Sequence, residues 1–216
     1  MSRSKQEVLA AMAAERVVAI VRTQDGSSLV EVAKALSDGG ISLIEITLTV
    51  PGALDIIRQA TQELQGCGIC FGAGTVRDPK TAELAIAAGA EFIVAPTFNP
   101  DTVKFCNEQG IFVAPGAFSP TELETAWQAG ADVVKVFPAN IGGPQYFKDL
   151  RGPLPGMRLM PTGSVNFETG PQYLAAGATA VGVGGVLFGK GLIPQRDFAQ
   201  ITENAKKMVA CLESGG

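Results

Sequence analysis

Four stretches of this chain repeat one piece of punctuation. Asp38-Gly39-Gly40, Ala88-Gly89-Ala90, Gln128-Ala129-Gly130-Ala131 and Ala176-Gly177-Ala178 each set glycine at the end of an amphipathic stretch and just ahead of an apolar run. Glycine there supplies the left-handed residue that closes a helix, so each phrase reads as a helix end leading into a strand. The apolar runs are Val17 to Arg22, Leu43 to Leu48, Cys70 to Val76, Phe92 to Thr97, Phe112 to Ala117, Val133 to Ala139, Arg158 to Gly163 and Ala180 to Gly185. Most are continuously apolar, as strands buried on both faces of a parallel sheet must be. Eight β–α repeats within 216 residues predict an α/β fold, a (β/α)8 TIM barrel forming one domain over 1–216. The residues up to Glu15 are expected to add a helix ahead of it. An open doubly wound sheet usually carries a glycine-rich fingerprint after its first strand, and Arg22-Thr23-Gln24-Asp25-Gly26 is not one.

Helix starts are equally legible. Ser28 to Ser37 places Leu29, Val32, Ala33 and Leu36 on one face. Asp78-Pro79 pairs a capping residue with proline at the first helical position. Ser119-Pro120-Thr121-Glu122 spells a capping box, Asn166 is placed to cap the seventh helix, and a long final helix is expected from about Gln195 to Leu212.

Composition removes several function classes. The chain contains no histidine, which excludes Ser-His-Asp hydrolysis, histidine-held metal and histidine acid/base catalysis; no cofactor is expected. A net charge of −4 leaves no electrostatic footprint for nucleic acid. No apolar run approaches the ~18 residues of a membrane span, and the start, Met1 to Glu7, lacks the apolar core of a signal peptide. A cytoplasmic location without membrane or nucleic-acid partners is expected. Cys67-Gly68-Ile69-Cys70 has redox or half-zinc spacing, but no second pair completes it; two reduced thiols at a loop–strand junction are the plainer reading. Trp127, the one tryptophan, reads as a packing residue.

Two charged residues interrupt the apolar strands. Lys135 lies within Val133-Val134-Lys135-Val136-Phe137, and Glu45 within Leu43-Ile44-Glu45-Ile46-Thr47-Leu48. Side chains alternate across a strand. Val133, Lys135 and Phe137 therefore share one face, as do Leu43, Glu45 and Thr47, and the intervening apolar residues suit the helix-facing side. Both charges should point into the barrel, where even-numbered strands contribute to common layers. A lysine is rarely buried without a partner or a purpose. A neutral amine in a dry pocket is a nucleophile that forms a Schiff base with a carbonyl. The alternative is a buried Lys–Glu ion pair without catalytic duty.

Polar and flexible residues gather at the exits of other strands. Arg22 ends the first, Thr47 and Thr49 the second, and Thr75 the third. Arg22 is expected to clamp a substrate carboxylate. Pro96 and Pro115-Gly116 shape the wall, and Phe137 keeps water from the amine. Strand seven ends Pro161-Thr162-Gly163-Ser164, and strand eight ends Val183-Gly184-Gly185. The loops after the last two strands are the usual phosphate site of this fold, so Gly163, Ser164, Gly184 and Gly185 are expected to bind phosphate.

An ordered set of phrases carries a family resemblance. Gly39-Gly40 followed by Ile44-Glu45-Ile46-Thr47-Leu48, Gly72-Ala73-Gly74-Thr75-Val76, Lys135-Val136-Phe137-Pro138-Ala139, Pro161-Thr162-Gly163 and Gly182-Val183-Gly184-Gly185 occur in family order. The chain resembles a class I aldolase of the 2-keto-3-deoxy-6-phosphogluconate / 4-hydroxy-2-oxoglutarate type. The resemblance implies that Lys135 is the Schiff-base lysine and Glu45 the proton-shuttling carboxylate. It implies substrate contacts at Thr75, Pro96, Phe137 and Thr162, phosphate contacts at Gly163 and Gly185, a homotrimer, and no metal. Two positions depart from the family's best-known branch. Thr49 stands where arginine binds the pyruvate carboxylate, and Val186 where a phosphate-binding serine often follows the strand-eight glycines. Arg22 is expected to replace the first, as in the branch that cleaves phosphogalactonate, and Ser164 the second. Gly143-Pro144-Gln145-Tyr146 also resembles that branch.

The expected activity is cleavage of a 2-keto-3-deoxy-6-phospho sugar acid to pyruvate and glyceraldehyde 3-phosphate. The alternatives are a 4-hydroxy-2-oxoglutarate or phosphogalactonate aldolase, oxaloacetate decarboxylation on the same lysine, and a non-catalytic phosphate-sugar binding barrel.

Overall fold

Helix α1 (Lys5–Glu15) precedes an alternation of strands and helices in a computed structural model describing residues 3–214. The order is β1 (Val17–Val21), α2 (Leu29–Asp38), β2 (Leu43–Thr47), α3 (Ala53–Glu63), β3 (Cys70–Gly74), α4 (Pro79–Ala87), β4 (Phe92–Val94), α5 (Pro100–Glu108), β5 (Phe112–Ala114) and β6 (Gly116–Ala117). It continues with α6 (Pro120–Gln128), β7 (Val134–Val136), a 3-10 turn (Ala139–Ile141), α7 (Gly143–Arg151), β8 (Leu159–Pro161), α8 (Thr169–Ala175), β9 (Val181–Val183), α9 (Gly185–Phe188) and α10 (Phe198–Ser214).

All strand pairs are parallel and form a curled sheet in two hydrogen-bonded runs, β5-β4-β3-β2-β1-β9 and β6-β7-β8. The runs meet at two seams. A single parallel bridge, Thr162 to Gly182, joins the exit of β8 to β9. The other seam is Pro115, where the expected single strand from Phe112 to Ala117 is broken into β5 and β6. Proline has no N–H for the ladder, although its carbonyl still accepts from the Lys135 amide at 2.9 Å. The lysine strand is also shorter than expected, and the final helix begins at Phe198 rather than near Gln195.

Helix starts follow the cap chemistry. Asp78, Asn99 and Ser119 each accept backbone N–H groups at the starts of α4, α5 and α6, with Pro79, Pro100 and Pro120 in the first turn. Such a cap stabilises a helix by about 1 kcal/mol. Both halves of the Ser119–Glu122 capping box are present. Asn166 accepts from the amides of Glu168 and Thr169 at 2.9 Å each, at the entry to α8. Gly40, Gly89, Gly130 and Gly177 all have φ between 89° and 106°, a region other residues enter only under strain.

Two apolar layers result. Ile44, Ile46, Val134 and Val136 join the large layer between sheet and helices. Val18, Leu43, Phe92, Phe112, Val133 and Met160 pack inside the curl, together with Val8 and Met12 of α1. Helix α1 closes the end where the strands begin. Three anchors of α1 and the residues before it lie at strand entries, Arg3 to Glu91, Lys5 to Asp132 at 3.1 Å, and Glu15 to the Ser42 amide at 2.9 Å, and Lys5 also bonds Asn107 of α5. The opposite end, toward which Glu45, Thr47 and Lys135 lie, carries the candidate site.

Candidate active site

The alternation of strand faces places both charged residues inside. Lys135 follows Val133 of the inner layer and is 6% exposed, in register with Gly116 on one side and Met160 on the other. Glu45 follows Leu43 and is wholly buried. Neither carboxylate oxygen of Glu45 has a hydrogen-bond partner among the described residues. Burial pushes the Glu45 carboxyl above its ordinary range, and the charges of Lys135 and Arg22 oppose that rise without cancelling it. No ion pair within 4.0 Å joins Lys135 to a carboxylate among the described residues. A structural Lys–Glu pair would show one. The Lys135 Nζ instead lies 5.5 Å from the centre of the Phe137 ring.

The glycines of the inner face make room. A Cβ on Gly182 would stand 2.5 Å from the Thr162 Oγ1 and 3.0 Å from Ile20. The Thr162 hydroxyl, 7% exposed as a residue, has no hydrogen-bond partner among the described residues. On the far wall, a Cβ on Gly116 would meet the Pro96 carbonyl at 2.2 Å, so two backbones touch where both residues were expected to shape the pocket.

Two hollows open at this end. One, of about 340 Å³, takes in Arg22, Phe137, Thr162, Gly163, Ser164, Gly184 and Gly185. It thus gathers the expected phosphate residues, the expected carboxylate clamp and the ring beside Lys135. The other, of about 560 Å³, is lined by Thr49, Thr75 and Pro96 together with Leu48, Arg77, Asp78 and Thr81. Thr75 has φ 63°, a left-handed backbone at the strand exit. Thr47 is buried and lines neither hollow; its Oγ1 lies 2.9 Å from Thr49 Oγ1 and donates to the Val21 carbonyl at 3.2 Å. Neither Lys135 nor Glu45 is among the residues lining these hollows.

Comparison with known proteins places this arrangement. A family model described as KDPG and KHG aldolase matches residues 8–204. The chain belongs to the KDPG and KHG aldolase family. It is similar to the 2-dehydro-3-deoxy-phosphogluconate aldolase of Treponema pallidum, with 35% identity over 87% of this chain and 89% of that protein. It is 32% identical to the 2-dehydro-3-deoxy-6-phosphogalactonate aldolase of Escherichia coli, over 77% of this chain and 81% of that protein. Among solved structures, a KDPG aldolase from Legionella pneumophila, with pyruvate captured as a covalent carbinolamine, is 28% identical. It superposes with a TM-score of 0.86 over 93% of this chain and 97% of that one.

Against this family background, the structure adds residues that strand reading left unassigned. Ile20, Gly182 and Phe188 line the smaller hollow, and Arg77, Asp78 and Thr81 the larger. Gly182 was open to discovery, since glycines at alternate positions 182 and 184 fall on one strand face. Arg77 and Phe188 carry no such signal, because loop and short-helix direction decides where they point. The Gly143-Pro144-Gln145-Tyr146 phrase has a packing role: it opens α7, and Tyr146 stacks on Phe118 with centroids 5.5 Å apart and bonds its carbonyl. The Cys67/Cys70 pair has no partner; all four cysteines are free, and burial pushes the Cys70 thiol up to about 12. Trp127 packs under Arg158, with the guanidinium 4.8 Å from its ring.

Proposed function

We propose that this protein is a class I aldolase that reversibly cleaves a 2-keto-3-deoxy-6-phospho sugar acid to pyruvate and glyceraldehyde 3-phosphate. The observation that carries this reading is a buried lysine with no carboxylate within 4.0 Å among the described residues, beside the Phe137 ring of a hollow that brings an arginine and four glycine-loop residues together. The neutral amine of Lys135 adds to the C2 ketone, and loss of water leaves a cationic iminium. Glu45, through a water, takes the proton of the C4 hydroxyl. The C4–O bond becomes a carbonyl, the C3–C4 bond breaks, and its electron pair moves into a C2–C3 enamine that neutralises the nitrogen. Protonation at C3 and hydrolysis release pyruvate and restore Lys135. Arg22 pairs with the substrate carboxylate, Thr162 bonds a substrate oxygen, and Thr47, Thr49, Thr75, Pro96 and Phe137 complete the wall. Gly163, Ser164, Gly184 and Gly185 receive the phosphate.

The wider reading follows the same family. The curled sheet is a closed eight-stranded barrel with α1 as an added helix, residues 1–216 act as one domain, and the protein works as a cytoplasmic homotrimer. It has no nucleic-acid or membrane partner.

A second reading concerns the sugar. Thr49 in place of the arginine, with Arg22 in the smaller hollow, favours a phosphogalactonate-type substrate. Cleavage rates on the two C4 epimers separate these readings.

The deciding experiment is borohydride reduction in the presence of pyruvate, followed by peptide mapping. Pyruvyl mass on Lys135, lost in Lys135→Ala, is expected. Labelling without cleavage of any keto-deoxy sugar acid would point to decarboxylation of a β-keto acid. Binding without labelling would make the protein a phosphate-sugar binding barrel.

A further inference from the structure

Strands β2 and β3 run side by side with Glu45 opposite Gly72 and Thr47 opposite Gly74. The Glu45 carboxylate, however, lies against Gly74 rather than over its own register partner. A Cβ on Gly74 would stand 1.8 Å from Oε1, 2.5 Å from Cδ and 2.7 Å from Cγ. The side chain therefore leans along the sheet, toward the strand exits, and fills the space in which a residue-74 side chain would begin. Gly72 is glycine for a different neighbour, since a Cβ there would meet the Phe92 ring at 2.2 Å.

Two further observations isolate the reason for glycine at 74. Its φ lies outside the left-handed region, so backbone conformation does not demand glycine. Its backbone is also held, because the Leu48 amide donates to its carbonyl at 2.8 Å within the β2–β3 ladder. An added methyl group must then be met by movement of the carboxylate. No hydrogen bond fixes either oxygen of Glu45 among the described residues, so shape rather than bonding sets where the group rests.

We propose that Gly74 is a positioning residue for the aldol step: its missing side chain is the seat that holds the Glu45 carboxylate at its working position. This rests on the aldolase reading above, in which Glu45 moves the C4 hydroxyl proton.

The test is Gly74→Ala, assayed in parallel for pyruvate–borohydride labelling of Lys135 and for sugar-acid cleavage. A misplacement of about 1 Å can cost about a hundredfold in rate. The expected result is full labelling, kcat down about a hundredfold and KM within a few-fold. The same substitution in a Glu45→Asp background should cost little, because the shorter side chain vacates the contested space. Cleavage by Gly74→Ala at the wild-type rate would overturn the proposal, as would an equal loss in both backgrounds. Should Gly74→Ala fail to fold, the clash predicts that Glu45→Ala/Gly74→Ala folds; a double variant that stays unfolded refutes the seat. Failure of the wild-type protein to label at Lys135 would instead count against the aldolase reading itself.

Discussion

The centre of the Phe137 ring stands 5.5 Å from the Lys135 Nζ, two residues further along the chain and just past the end of β7, and Phe137 is itself 39% exposed. The ring also lines the hollow that holds Arg22 and Thr162. In the proposed mechanism, an aromatic ring in that place keeps water from the nitrogen and meets the cationic iminium with its π face.

Removing the ring should therefore slow chemistry more than binding. Phe137→Ala is expected to lower kcat/KM by about tenfold, mostly in kcat, with Phe137→Leu in between. Steady-state cleavage kinetics check this. A Phe137→Ala enzyme with unchanged kcat would show that the ring has no part in the reaction.

Glu45 gives stability a defined pH dependence. Burial raises its carboxyl above the ordinary value of 4.5, with Lys135 and Arg22 opposing. A carboxyl raised by folding stabilises the native state fully below its unfolded value. That contribution is lost as pH rises through the folded value. Glu45→Gln removes the cost of holding an ionised carboxylate in the interior, so the variant should melt above wild type near neutral pH. The gap should narrow as pH falls toward 4.5. Melting curves across that range test the sign; a gap that widens on acidification would contradict it. The same variant should lose cleavage while keeping the Lys135 label.

The closed end of the sheet predicts a change that spares chemistry. Met12 is fully buried and packs into the inner layer beside Val8, while the site lies at the opposite strand ends. Met12→Ala should cost about 2–4 kcal/mol of stability. Denaturant titration would read this, and kcat per folded protein should hold. A variant as stable as wild type would mean that α1 only covers the sheet without contributing to its core.

Much of the candidate site is legible in the sequence because strands report their own faces. The alternation around Glu45 and Lys135 puts both charges on the inner side, and the glycine phrases after the last two strands mark the hollow that also takes in Arg22. The break at Pro115 was not legible as a seam. Proline marks a lost donor, but whether a strand bends, ends or continues there depends on which neighbour offers the next acceptor. Gly74 was read only as part of a phrase. Its use is set by a carboxylate 29 residues away in the chain, leaning over from the neighbouring strand.

The local code of this chain settled what is periodic or nearby: parallel strands buried on both faces, helices started by Asp78-Pro79 and Ser119-Pro120 and stopped by left-handed glycines, and an amine and a carboxylate facing inward. These follow from backbone sterics, capping and side-chain alternation, which act over a few residues. Tertiary structure alone decided what touches across the curl. It left Lys135 without a carboxylate within 4.0 Å among the described residues, set Glu45 into the space above Gly74, put Thr162 opposite Gly182, and divided the polar strand exits between two hollows. Those contacts depend on strand register and on how far each side chain leans, and both are fixed only when the whole sheet is packed.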